Sequence, residues 1–204
     1  RAVGRKRATK LYEAAKNTVG IKEGLIAAKN DIAVLLEDYE HKMRQYEKTM
    51  AIVEGLILQI PGITEILKIK GIGLVMAAGF IAEVGDISRF NHSRQIQKLA
   101  GLNLKENSSG KHKGKTTITK RGRRRLRAFL FQGILPLVAT NREFRELHHY
   151  YTTRAQNPLK KKQSLILLCC KIIRIFYALL TKRVAYDPQK MMNDIQRITL
   201  PKAS

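Results

Sequence analysis

Acidic residues are scarce in this chain: 16 Asp and Glu stand against 39 Lys and Arg, leaving a formal charge of +23 and an isoelectric point near 10.3. The shortage limits metal-dependent chemistry first. A two-metal nuclease centre needs several carboxylates in one place, and Glu83 and Asp86, which flank Gly85, lack two further partners. Cysteine is rarer still. Cys169 and Cys170 are adjacent in an apolar helical run, where neighbouring side chains point in different directions, so they cannot share a metal and read as buried thiols of a reducing compartment. His148 and His149 fail as a metal pair for the same reason. No segment reads as the long uncharged apolar run of a membrane-spanning helix, none as a secretory signal peptide, and no internal repeat is visible. The expectation is a cytoplasmic, nucleoid-associated protein with no membrane partner and no metal site in this chain.

What is abundant is apolar content and positive charge together. At 44% hydrophobic residues, 204 residues can bury a real core in one elongated domain or two small ones, which separates the chain from disordered basic tails. A folded protein with such a surplus of cations repels itself, and polyanionic nucleic acid relieves that repulsion by counterion release. Nucleic acid is therefore the expected partner. The chain opens on Arg1 rather than Met, so it is expected to be a fragment of a longer protein.

The pattern is mainly α. Basic residues 1–10 precede a short helix at 11–18 that ends at Val19-Gly20, and a much longer helix follows from Lys22. Its apolar side chains fall at Ile32, Leu36, Tyr39, Met43, Tyr46, Met50, Val53, Ile57 and Ile60, alternating steps of four and three, which is a coiled-coil heptad seam. Residues 25–60 would make a rod of about 50 Å at roughly 1.5 Å per residue, stopped by Pro61-Gly62. The seam needs cover, either from an intramolecular helical hairpin or from a second copy. The first helix is too short to cover it, which favours a homodimer or tetramer. Residues 1–60 then form a coiled-coil arm and residues 61–204 a second, helical domain.

Within that second domain, Ile66-Leu67-Lys68-Ile69-Lys70-Gly71-Ile72-Gly73 precedes a small-residue-rich helix at 74–82. Helix, Gly-Ile-Gly turn and helix together resemble a helix-hairpin-helix element, in which glycines let the backbone approach a phosphate and the N–H groups opening the second helix face it. Lys70, Gly71 and Gly73 are candidate contacts, and a plain tight turn is the alternative. Further on, Ser93 is the expected cap of a short helix to Ala100, closed by Gly101. Residues 123–138 are helical, with Pro136 ending or kinking the helix, and Asn141 caps another to about 155 before Asn157-Pro158 breaks it. Residues 164–182 are apolar almost all round and should be the central buried helix, and Asp187-Pro188 opens a last helix at 189–198.

The densest chemistry lies between Asn107 and Arg127. Lys111, Lys113, Lys115, Lys120, Arg121, Arg123, Arg124, Arg125 and Arg127 form a cationic arm leading into a helix start, with residues 116–119 able to form a short hairpin. Cations near a helix N-terminus oppose its macrodipole, so Arg123, Arg124 and Arg125 are poorly placed unless an anion sits there. A nucleic-acid phosphate would answer that requirement, and Leu126, Phe129 and Leu130 tie the cations to a core helix rather than to a solvated tail. Ser108-Ser109-Gly110 is by itself an ordinary loop, since a serine nucleophile needs activation. The surrounding cations permit it, by lowering the Ser109 pKa and by stabilising a pentacoordinate phosphoryl transition state. His112 is close enough along the chain to take a proton or to contact a phosphate, but no Ser-His-Asp arrangement is legible.

The order of these motifs carries a family likeness. The heptad helix, Ile60-Pro61-Gly62, Gly71-Ile72-Gly73, Gly85-Asp86-Ile87-Ser88-Arg89-Phe90, Leu99-Ala100-Gly101-Leu102, Ser108-Ser109-Gly110 and Thr119-Lys120-Arg121-Gly122 together resemble the C-terminal half of insertion sequence 110 family transposases. The resemblance implies a serine nucleophile just before a glycine in the basic loop, which maps onto Ser109, with Ser108 as the alternative. It also implies magnesium held by four acidic residues of an N-terminal RuvC-like domain, which has no counterpart here. DNA at the element ends and target, and an element-encoded guide RNA, would be the partners, and the fragment alone would be inert in strand exchange. The rival reading is a non-enzymatic helix-hairpin-helix binding module.

Overall fold

The computed structural model describes residues 4–18, 20, 23–105, 108–109, 112–113 and 116–199. It is mainly α-helical, as the sequence pattern predicts, and separates into two compact units, Arg1–Ile52 and Val53–Ser204.

The first unit holds α1 (Arg5–Lys16) and most of α2 (Leu25–Ile57). Helix α1 begins at Arg5, within the basic stretch expected to precede it, and buries none of its residues. Helix α2 ends at Ile57, three residues short of the predicted end, because residues 58–60 turn ahead of Pro61. Its seam is exposed at Ile32, Leu36, Tyr39, Met43 and Tyr46.

The second unit contains α3 (Ile63–Leu67), α4 (Leu74–Val84), α5 (Ser93–Leu99), α6 (Arg124–Thr140), α7 (Arg142–Thr153), α8 (Lys161–Lys182) and α9 (Pro188–Thr199). Its centre is α8, which packs against α3, α5, α6 and α7 and buries Leu168, Cys169, Ile172, Ile173, Phe176 and Leu179. By length and composition α8 is apolar enough to cross a membrane, although Lys171 and Arg174 interrupt its apolar run. Its packing accounts for that composition, since a helix enclosed by neighbours on most sides must be apolar on most sides. Phe176 meets Phe80 of α4 edge to face at 4.9 Å between centroids. Burying one such ring contributes about 3 kcal/mol.

Helix α6 runs on through Pro136 to Thr140 rather than ending near it. It lies against α4, with the Phe129 ring over the bare backbone at Gly79. Asn141 ends α6 and caps α7 as predicted, its side-chain oxygen accepting from the Phe144 N–H at 3.1 Å. The cap of α5 is His92 and not Ser93. The imidazole Nδ1 of His92 accepts from the Arg94 N–H at 3.0 Å, Gln95 accepts from the Asn91 N–H at 2.8 Å, and Ser93 is buried in the first turn.

Candidate nucleic-acid interface

Between α5 and α6 the described residues form paired strands. Strand β1 (Leu104–Lys105) pairs antiparallel with β4 (Thr117–Ile118), and β2 (Ser108–Ser109) with β3 (His112–Lys113). The register sets Ser109 opposite His112 and Ser108 opposite Lys113. Lys111 and Lys115 lie outside the described residues, as do the side chains of Ser109, His112 and Lys113.

The hairpin is rooted by a crossing of its two ends. The Thr119 N–H donates to the Asn103 carbonyl at 2.7 Å, the Lys120 N–H to Gly101 at 3.0 Å and the Arg123 N–H to Leu99 at 2.6 Å. The strands come this close because Gly101 and Gly122 both have positive φ, +68° and +136°. A Cβ on Gly122 would land on the Leu99 carbonyl, and one on Gly101 would meet the Arg121 carbonyl at 2.7 Å. Arg127, one turn into α6, closes the crossing by donating through one terminal nitrogen to the Ala100 carbonyl at 2.9 Å and the Lys120 carbonyl at 3.2 Å.

The cations predicted to bind phosphate divide at this point. Lys120, Arg121, Arg123, Arg124, Arg125 and Arg127 do come together at the hairpin root and the start of α6, where the first turn holds no acidic residue. Three of the arginines already have protein partners. Arg127 holds the root, Arg123 donates to the Glu83 carbonyl, and Arg125 pairs with the Glu83 carboxylate at 3.2 Å. Part of the conflict with the helix dipole is thus answered by Glu83 from α4, a residue whose interest in sequence lay only in its failure to complete a metal site. Arg121 and Arg124 have no such partner among the described residues.

The Gly-Ile-Gly turn lies at the other end of α6. Gly71 has φ +95°, and a Cβ there would meet the Thr140 hydroxyl at 2.6 Å and Leu137 at 3.0 Å. Asn141 donates its side-chain N–H to the Lys70 carbonyl at 2.9 Å, so the turn is clamped to the α6–α7 joint. Gly73 differs: a Cβ there would meet nothing within 4 Å, and it precedes α4 with no side-chain cap. From residue 124 to 137 the helical rise separates the two basic regions by roughly 20 Å.

Residues 63–149, which span both regions, match the family model of the Transposase IS116/IS110/IS902 family. The match takes in less than half of the chain, so the likeness to that family is one of this segment. Over 123 residues, 58% of this chain and 32% of the relative, it is 32% identical to the "Transposase for insertion sequence element IS1111A" of Coxiella burnetii. Over 64 residues, 31% of this chain and 16% of the relative, it is 38% identical to "Putative transposase y4qE" of Sinorhizobium fredii. The matched part is a minority of either relative's length. The hairpin, its root and the Gly-Ile-Gly turn all fall inside the matched residues, whereas α1, α2, α8 and α9 lie outside them.

Both cysteines are enclosed, and His148 has a partner. Burial pushes the Cys169 thiol up to about 12 and Cys170 up to about 11, so neither forms a thiolate near neutral pH. The His148 ring shares a 2.9 Å hydrogen bond with the buried Ser164 hydroxyl, and burial, with Lys161 and His149 nearby, holds its pKa below the ordinary value.

Proposed function

We propose that this chain is the C-terminal part of a transposase that recombines DNA through a serine nucleophile. The observation that carries the reading is the rooted hairpin, which sets Ser109 in a strand pair beside a two-residue connection, beyond a base lined with cations, inside the segment matching the transposase family. In the proposed step the Ser109 Oγ attacks a DNA phosphorus, an Oγ–P ester forms as the P–O bond to the departing strand breaks, the hydroxyl proton passes to a base and the leaving oxygen takes up a proton. Arg121 and Arg124 hold flanking phosphates and balance the charge of the pentacoordinate state.

Magnesium belongs in this proposal to the RuvC-like domain of the intact protein. Among the described residues no group of three or more His, Cys, Asp or Glu side chains could hold a metal ion. The chain alone is expected to bind nucleic acid without completing strand exchange, to pair through α2, and in the element to work with a guide RNA. The alternative, a binding module of helix-hairpin-helix type, draws on the uncapped start of α4 beside the open Gly73.

The test joins this chain to its N-terminal half and compares Ser109→Ala with Ser108→Ala for recombination and for a covalent protein–DNA band. The expected result is loss of both activities in Ser109→Ala alone. Retention of both in Ser109→Ala overturns the nucleophile assignment and leaves the binding module.

A further inference from the structure

A groove of about 410 Å³ opens beside the hairpin root, lined by Lys120, Arg124, Arg127, Ala128, Phe131 and Ile166. Its size falls in the range of roughly 300–1,000 Å³ usual for small-ligand sites, and its lining has two chemistries. One end is cationic, with no carboxylate among its lining residues. The other is apolar, formed by Phe131 of α6 and Ile166 of α8, both half-buried.

The cationic end is held in place. Arg127 spends one terminal nitrogen on the Ala100 and Lys120 carbonyls, which fixes its guanidinium plane, and its other N–H groups have no partner among the described residues. Lys120 sits at φ +55°, a left-handed backbone that a non-glycine residue adopts only when its surroundings impose it. Here the Gly101 carbonyl and the Arg127 guanidinium impose it from either side. Arg124 is exposed and unpaired among the described residues.

A fixed anion seat next to an aromatic ring matches a nucleotide: phosphate at one end, the flat face of a base at the other. Paired bases keep those faces inside a duplex stack and cannot reach the floor of such a groove. A second cavity, against α7 and α9, makes the contrast, since Glu143 and Glu146 outnumber Arg142 in its lining and Arg142 is already bound to Glu146. We infer that the groove between α6 and α8 seats one unpaired nucleotide of a DNA strand, its phosphate on Lys120, Arg124 and Arg127 and its base against Phe131. This rests on the DNA-binding reading above and adds to it a site for an extrahelical base.

The test measures fluorescence anisotropy of the full chain with two DNA duplexes that differ by one bulged adenosine. The bulged duplex should bind about tenfold tighter, the scale of one base stacked on an aromatic side chain. Replacing the bulged nucleotide by an abasic one should remove most of that gain. Phe131→Leu, which keeps an apolar floor, should remove it too while leaving affinity for the perfect duplex unchanged. Equal affinity of the wild-type chain for both duplexes overturns the nucleotide seat and leaves DNA binding standing. A bulged RNA preferred over bulged DNA overturns the choice of strand. Failure to bind any of these probes overturns the seat and the DNA-binding reading together.

Discussion

The two ends of α6 look alike in sequence and differ in what their residues do. At the C-terminal end, the Gly-Ile-Gly turn brings Lys70 beside two glycines. At the N-terminal end, the hairpin root brings Lys120, Arg121 and the arginine run beside Gly101 and Gly122. Each end has a residue that closes the fold, whatever else it touches, and another that is open to a ligand alone. Gly71 is pressed against Thr140 and Leu137 while Gly73 faces open space, and Arg127 holds two carbonyls while Arg124 holds none. Sequence spacing groups residues by neighbourhood, whereas the fold sorts them by which partner arrives first. An arginine that already satisfies buried or crowded carbonyls is costly to remove from the protein, and its loss is no measure of nucleic-acid binding.

That division gives a graded series of tests. The largest effect is expected at Gly122, where alanine would meet both a positive φ and the Leu99 carbonyl. Gly122→Ala should cost about 2–3 kcal/mol in urea denaturation. A loss under about 0.5 kcal/mol would show that the root yields and that the hairpin is not held by the crossing.

Next comes the arginine pair. Arg127→Met should lower stability by about 1–2 kcal/mol through the lost charge-assisted hydrogen bonds. Arg124→Met should stay within about 0.5 kcal/mol of the wild type and instead reduce the slope of log affinity against log salt by about 0.9 on duplex DNA, the loss of one phosphate contact. Equal stability losses in the two variants would erase the distinction between closing and open residues at this end.

The smallest effects lie at the glycine turn. Gly71→Ala should cost about 1 kcal/mol for the left-handed backbone, softened because the Thr140 hydroxyl can rotate away. Gly73→Ala should leave stability within about 0.5 kcal/mol and weaken DNA binding only if a phosphate approaches the start of α4. No change in affinity for Gly73→Ala would make this end of α6 purely structural and leave the hairpin root as the basic interface.

Much of the helical framework was legible because strong local signals and burial agree. Pro61-Gly62 stops the long helix, Asn141 both ends and caps, and the apolar run of α8 is the centre of the core. The hairpin was only partly legible. Residues 117–118 were expected in a short arm, yet their partners are 104–105, and strands of two residues are too short to show an alternating pattern. His92 escaped notice because imidazole is not among the common caps while the serine beside it is. Glu83 escaped for a different reason: its partners, Arg123 and Arg125, lie some forty positions away, and the juxtaposition exists only once α4 and α6 pack together.

The crossing at Gly101 and Gly122 has a consequence for how such a protein can diversify. The chain completes its knot of backbone bonds at Asn103 and Thr119, before the first strand pair begins and after the last one ends. The strand pairs beyond that point join the helical body through a closed neck. Lengthening, shortening or replacing the segment between would therefore alter what is presented to solvent without redrawing the interior. Insertions between the strand pairs should be tolerated far better than insertions at the neck, as an interchangeable piece on a fixed handle would be.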